Sequence, residues 1–203
     1  MTDTNPLSPS AIVTWHREVC PVTEWLTISG DLPMDSEAAA AKLDEWIAAG
    51  VTDIVDLRGE WSDEDFVAQR APEVRYHYFG THDNGGSQDA EWFAAGIDAL
   101  HTALEHPGAR LMVHCHMGVN RGPSMAFAML LDQGWDVIDA LNAIRHARPI
   151  AGIIYADSAI RAVGERHGRS ESEIEADLDR AATWFEENHI DIHTIIRRIR
   201  QAQ

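Results

Sequence analysis

Twelve residues near the middle of the chain, Val113-His114-Cys115-His116-Met117-Gly118-Val119-Asn120-Arg121-Gly122-Pro123-Ser124, bring together a nucleophile, a turn and a cation. Five residues separate Cys115 from Arg121. A loop this short can wrap a tetrahedral dianion, with its backbone N–H groups turned inward. A helix opening near Gly122 adds its positive end. Arg121 closes the ring with a planar fork that matches two oxygens of the anion. Gly118 lets the backbone turn tightly. The same N–H groups and helix end favour a thiolate over a thiol at Cys115. One segment, His116, Met117, Gly118, Val119, Asn120 and Arg121, thus holds the anion and activates the nucleophile beside it.

That loop needs a strand before it and a buried helix after it. Arg110–His114 is a short apolar strand, and Ser124–Leu131 is an apolar run with Pro123 suited to a first helical turn and Gly134 as a stop. Apolar residues surround this helix axis, which predicts a central buried helix. Upstream, strands are predicted at Trp25–Ser29, Thr52–Leu57 and Val74–Phe79, with helices at Ser36–Ala49 and Gln88–Glu105 and a Gly-rich loop at Asp83–Ser87. Downstream, helices are predicted at Asp136–Ala147 and Tyr155–His167. The alternation predicts an α/β fold: a central, mostly parallel sheet of four or five strands flanked by helices. The chain divides into an N-terminal segment (1–24), a main domain (25–169) and a C-terminal helical extension (170–203). In the extension Ser170 and Glu173 form a capping-box pattern. Ile174, Leu178, Ala181 and Phe185 make one apolar stripe, and Ile192, Ile195, Ile196 and Ile199 another. Packing onto the main domain is the expectation for this pair.

Composition narrows the partners. The chain has 203 residues, 45% of them hydrophobic, and a formal net charge of −17. Such a field repels polyanions, so neither nucleic acid nor an acidic membrane is expected as a partner. No apolar run is long enough to span a bilayer, and Met1–Ser10 lacks the pattern of a secretion signal. A cytoplasmic protein is the expectation. The two cysteines, Cys20 and Cys115, should remain thiols there. The histidines show no ligand spacing, so no metal site is assigned.

The run His114-Cys115-x-x-Gly118-x-x-Arg121 resembles the signature of the protein tyrosine phosphatase superfamily. The surrounding chain, roughly Trp25 to His167, is similar to the small dual-specificity branch. The resemblance implies phosphomonoester hydrolysis in two steps through a phosphocysteine, with no cofactor. It also implies an aspartate on a loop before the Cys strand, which protonates the leaving oxygen and later activates water. Asp83, in Gly80-Thr81-His82-Asp83-Asn84-Gly85-Gly86, stands 32 residues before Cys115 in matching context; Asp89 is its rival. His114 is similar to the histidine that orients the loop and helps hold the thiolate. Arg148 resembles an arginine that braces the loop, and Arg58 is a second candidate; for both, a surface ion pair is the alternative. Two departures stand out. Gly122 replaces the Ser or Thr that usually follows the arginine, which bears on the second chemical step. The segment Ile150-Ala151-Gly152-Ile153-Ile154-Tyr155 lacks an Asn that many relatives carry, which bears on bracing of the loop.

The resemblance implies protein phosphotyrosine as substrate, with some phosphoserine and phosphothreonine. A phosphoinositide is less favoured, because the loop offers no lysine. An RNA 5′-phosphate is opposed by the acidic charge. A small sugar or nucleotide phosphate stays open, as do a non-catalytic phosphate-binding module and a sulfurtransferase.

Overall fold

Three strands are buried on both faces, and parallel pairing under helical layers is the arrangement that buries them. In the computed structural model, which describes residues 6–203, every residue of β2 (Leu26–Ser29), β3 (Asp53–Arg58) and β5 (Leu111–His114) is buried. With β1 (Cys20–Pro21) and β4 (Arg75–Thr81) they form one sheet in the order β1-β2-β5-β3-β4. Only β1 runs antiparallel. The sheet is therefore five-stranded and mostly parallel. Strand β5 lies at its centre, with Val113 paired to Ile28 on one side and Val55 on the other. Cys115 is thus the first residue beyond the carboxyl end of the central strand, where α/β sheets open a crevice.

Alternation along β5 separates two cores. Leu111 and Val113 face the layer of α4 (Ala90–Leu104), α5 (Arg121–Asp132), α6 (Val137–Ala147) and α7 (Ala156–Arg166), with α8 (Glu171–Glu187) against α6 and α7. Met112 faces the other way, toward Leu43 and Trp46 of α2 (Ser36–Ala48) and Val67 of α3 (Glu64–Arg70). Ten of the twelve residues of α5 are buried, in keeping with its apolar girth. A third, smaller core joins α1 (Pro9–Trp15) to α9 (Ile192–Gln201) through Ile12, Ile195 and Ile199. Among the described residues, no helix is long and apolar enough to cross a membrane.

The anticipated strands and helices are present, with ends displaced by up to three residues. Helix α5 begins at Arg121 rather than Ser124, so the loop runs straight into it. Three short elements, α1, β1 and α3, lie where no element was anticipated. Residues 1–5 of the N-terminal segment fall outside the described residues.

Candidate active site

The loop is shaped by what its carbonyl groups bind. His116 O accepts from Asp31 N–H (3.1 Å) and lies 3.2 Å from His16 Nε2. Met117 O accepts from Arg148 Nη2 (3.1 Å), and Gly118 O from Arg148 Nε (2.6 Å). Val119 O accepts from Gly152 N–H (2.6 Å). Each of these carbonyls is thereby turned outward. In a trans peptide the N–H points opposite to the C=O. The N–H groups of Met117, Gly118, Val119 and Asn120 therefore face the interior of the turn, and α5 starts at its end. Gly118 has φ of 62°, and a Cβ there would sit 2.2 Å from Arg148 Nη2 and 2.7 Å from Ser29 O. Only glycine fits.

Arg148 is fully buried and carries no carboxylate partner among the described residues. Its other donors reach His16 O (3.0 Å), Glu18 O (3.3 Å) and Cys20 Sγ (3.3 Å). It ties β1, the end of α1 and the loop together, and is not a surface ion pair. Arg58 is also buried, but among the described residues it makes no hydrogen bond or ion pair to the loop; it pairs with Asp56 (2.7 Å) and Asp63 (2.6 Å) beneath Trp61. The Asn missing from residues 150–155 is replaced by backbone. Gly152 N–H holds Val119 O, and Ile154 N–H donates to Asn120 Oδ1 (2.8 Å). Ile153 adopts φ of 52° in this segment, a conformation that a β-branched residue rarely takes and that the surrounding contacts impose.

Cys115, Arg121 and Asp83 line one cleft of about 670 Å³. Glu60 grips the end of the Arg121 fork with both oxygens, each at 2.8 Å. Thr81 O takes a further bond from Nη1 (2.8 Å). Burial alone would favour a neutral guanidine, but Glu60, the nearby Cys115 and Asp83 outweigh it and keep Arg121 charged. Arg121 Nε is buried with no hydrogen-bond partner and lies 3.5 Å from Asp83 Oδ2. Asp83 itself is held from behind: Asn120 Nδ2 (2.7 Å) and Tyr155 Oη (2.9 Å) both donate to Oδ1. That leaves Oδ2 on the side of Arg121.

His114 lies below the loop, fully buried, with neither ring nitrogen hydrogen-bonded. Burial pushes it down to about 4, so it is neutral at pH 7 despite Asp56 at 3.6 Å. His116 lines the cleft and has Nδ1 2.7 Å from Asp31 Oδ2. Both cysteines are free, and burial pushes the Cys20 thiol up. Among the described residues, no three histidine, cysteine or acidic side chains gather where they could hold a metal.

No family model matches the chain. Dual specificity protein phosphatase 26 of Bos taurus is 31% identical over 78 residues, which is 38% of this chain and 37% of that protein. The chain thus spans little more than a third of that relative's length. Dual specificity protein phosphatase 13B of Mus musculus is 24% identical over 139 residues, 67% of this chain and 70% of its own. Among solved structures, human DUSP28 superposes with a TM-score of 0.59 at 18% identity, covering 73% of this chain and 95% of that one. PTPMT1 in complex with PI(5)P gives 0.56 at 19% identity, covering 80% and 97%. The chain has the protein tyrosine phosphatase fold. In sequence it is similar to the dual-specificity branch of that superfamily.

Within this phosphatase fold, Asp89 precedes the first turn of α4, is exposed and lies outside the cleft, whereas Asp83 lines it. Two residues of the site, Glu60 on the cleft wall and Tyr155 buried behind Asp83, escaped the sequence reading. Glu60 carried a usable signal, since it follows the carboxyl end of β3, on the side where parallel sheets bind ligands. Tyr155, 72 positions from Asp83, carried none. Ser124 does not face Cys115: its Oγ donates to Asn120 Oδ1 (3.1 Å) and accepts from Tyr155 N–H (3.2 Å).

Proposed function

We propose that this protein hydrolyses phosphomonoesters through a phosphocysteine on Cys115. The observation that carries the reading is Arg121 Nε, buried and without a hydrogen-bond partner, in the same cleft as Cys115 and Asp83 while Glu60 fixes the rest of the fork. A buried donor whose nearest anion, Asp83 Oδ2, stays at 3.5 Å is left short of a hydrogen bond until a closer anion arrives. In the first step the Cys115 thiolate attacks phosphorus, the bond to the leaving oxygen breaks, and Asp83 gives that oxygen its proton. In the second, water attacks the phosphocysteine, its proton passes to Asp83, and phosphate leaves as the thiolate is restored. Arg121 and the inward N–H groups hold the equatorial oxygens throughout. His114 supports the loop from below as a neutral ring, and Arg148 braces it through the carbonyls of Met117 and Gly118.

The proposed substrate is a phosphotyrosine ester, with some turnover of phosphoserine and phosphothreonine. The names of the dual-specificity relatives support it. Turnover of an aryl phosphate tests the reaction itself. Cys115→Ser is expected to abolish turnover yet retain vanadate, because the cradle and Arg121 remain. Asp83→Asn is expected to slow phenyl phosphate by roughly 10²–10⁴-fold, and esters of very acidic phenols less. Appreciable activity in the serine variant would rule out the covalent route.

A further inference from the structure

Helix α9 forms part of the cleft wall. Its Ile195 and Ile199 are buried in one cluster with Ile12 of α1 and with Met117 and Val119 of the anion loop. The loop therefore supplies part of the core that seats this helix. Ile192 presses on the segment that holds Val119 O: a Cβ at Gly152 would come within 2.9 Å of Ile192 Cδ1. The adjoining ridge of α9, Ile192, Ile196 and Arg200 at i, i+4 and i+8, lines the same cleft as Cys115 and Arg121.

Charge makes Arg200 unusual. The chain carries a net charge of −17, with 16 lysines and arginines. Among the described residues, all of these except Arg198 and Arg200 donate to a carboxylate, hydroxyl, sulfur or backbone carbonyl. Examples are Arg17 on Asp31, Arg110 on Glu24 O, Arg161 on Glu175, Arg180 on Asp136 and Arg197 on Thr194. Of the two left over, Arg200 lines the cleft and Arg198 does not. In a protein with twice as many acids as bases, Arg200 is thus an exposed cation on the cleft wall with no counter-ion among the described residues. His193, exposed and without a hydrogen bond among the described residues, lines the same cleft on the same helix.

We infer that Arg200 binds a second anionic group of the substrate, so that the site selects phosphomonoesters bearing another phosphate or carboxylate beyond the scissile one. The inference rests on the proposed phosphatase reading for which end of the substrate reacts. Ile192 and Ile196 would pack against the apolar part between the two anions.

Equilibrium binding to the full chain carrying Cys115→Ser tests this without turnover. The probes are phenyl phosphate, 4-carboxyphenyl phosphate and 1,4-phenylene bisphosphate, and a phosphotyrosine peptide flanked by Glu compared with one flanked by Gln. In each set the members that carry a second anionic group should bind about tenfold tighter than the one that carries only the phosphate, with the preference shrinking as salt rises. Arg200→Gln should remove the preference and Arg200→Glu reverse it, while Arg198→Gln, on the same helix but outside the cleft, should keep it. A preference confined to the small esters identifies a compact substrate as the source of the second anion; one confined to the peptides identifies an acidic side chain. The inference is overturned if Arg200→Gln leaves every preference intact, or if Arg198→Gln erodes it equally. Failure to turn over phenyl phosphate without the Cys115→Ser change would instead overturn the phosphatase reading and leave these affinities standing.

Discussion

The sulfur of Cys115 should be a poor leaving group in the second step, and restoring one hydroxyl should correct it. In relatives with Ser or Thr after the arginine, that hydroxyl can donate to the cysteine sulfur as it leaves phosphorus; here the position is Gly122. Ser124, the nearest alternative, is engaged with Asn120 and Tyr155. There is room for the change. A Cβ on Gly122 would lie 3.4 Å from Val113 O and 3.6 Å from Cys115 N, ordinary contact distances on the face of α5 that looks at the nucleophile. A hydrogen bond to a charged group contributes about 1.5–3 kcal/mol. Expressed fully in the departure of the thiolate, that is about 10- to 100-fold in rate. Rapid-quench kinetics on an aryl phosphate should show a burst near one equivalent, then a slow steady rate. Gly122→Ser should raise the steady rate at least tenfold and change the burst rate much less. Gly122→Ala, which adds the Cβ without the hydroxyl, separates hydrogen bonding from stiffening of the helix start. A linear wild-type time course, or equal gains in the Ser and Ala variants, would refute the reasoning.

Two further outcomes follow from the cleft and its floor. Glu60→Gln replaces a two-oxygen grip on Arg121 with a neutral amide, so phosphate affinity of the Cys115→Ser protein should fall roughly tenfold by calorimetry. Unchanged affinity would mean that Thr81 O and Leu57 O suffice to aim the fork. His114, held down to about 4 by burial, takes up a proton on unfolding below its ordinary value of about 6.5. Stability should therefore fall as the pH drops, by about 2 kcal/mol between pH 7 and 5, and His114→Asn should lack that share in urea titrations. Equal slopes in both proteins would show that the folded state accepts the proton.

What the sequence displays well is local. The apolar strand, the Cys-to-Arg turn and the apolar helix are contiguous, and each obeys a short-range rule of pattern, turn or helix start. The Gly-rich loop after a strand was legible in the same way, whereas the choice of Asp83 on it came from the family resemblance and not from local pattern. Residues whose roles depend on distant partners were not. Tyr155 looks like an ordinary aromatic until the fold sets its hydroxyl on Asp83. Helix α1 hides in a Pro- and Ser-rich stretch because it buries one side chain, Ile12, against α9 at the other end of the chain. The isoleucines of α9 read as one stripe, yet the structure divides them. Ile195 and Ile199 enter the small core, while Ile192 and Ile196 face the cleft. Periodicity marks an apolar face but does not say what lies opposite it.

On the proposed phosphatase reading, the same long-range dependence explains how so acidic a chain would hold an anion. The cradle uses few formal charges; it uses the inner side of peptides whose outer side is engaged elsewhere. Four successive carbonyls, from His116 to Val119, are held by groups from the loop after β2, from the end of α6 and from the segment before α7. Each such bond contributes only about 1 kcal/mol to stability. Together they fix the direction of the opposing N–H groups before any ligand arrives, so little reorganisation is left for the reaction. Arg148 supplies the charge for this without presenting it to the cleft. It is fully buried and surrounded by carbonyls, and its positive field lies behind the loop, where it reinforces the inward dipoles. On that reading Arg121 is left to meet the anion directly, with Glu60 setting its angle. On this division of labour, acidic side chains elsewhere on the surface act at screened distances. On the proposed reading the local geometry, not the net charge, would decide which ion is bound.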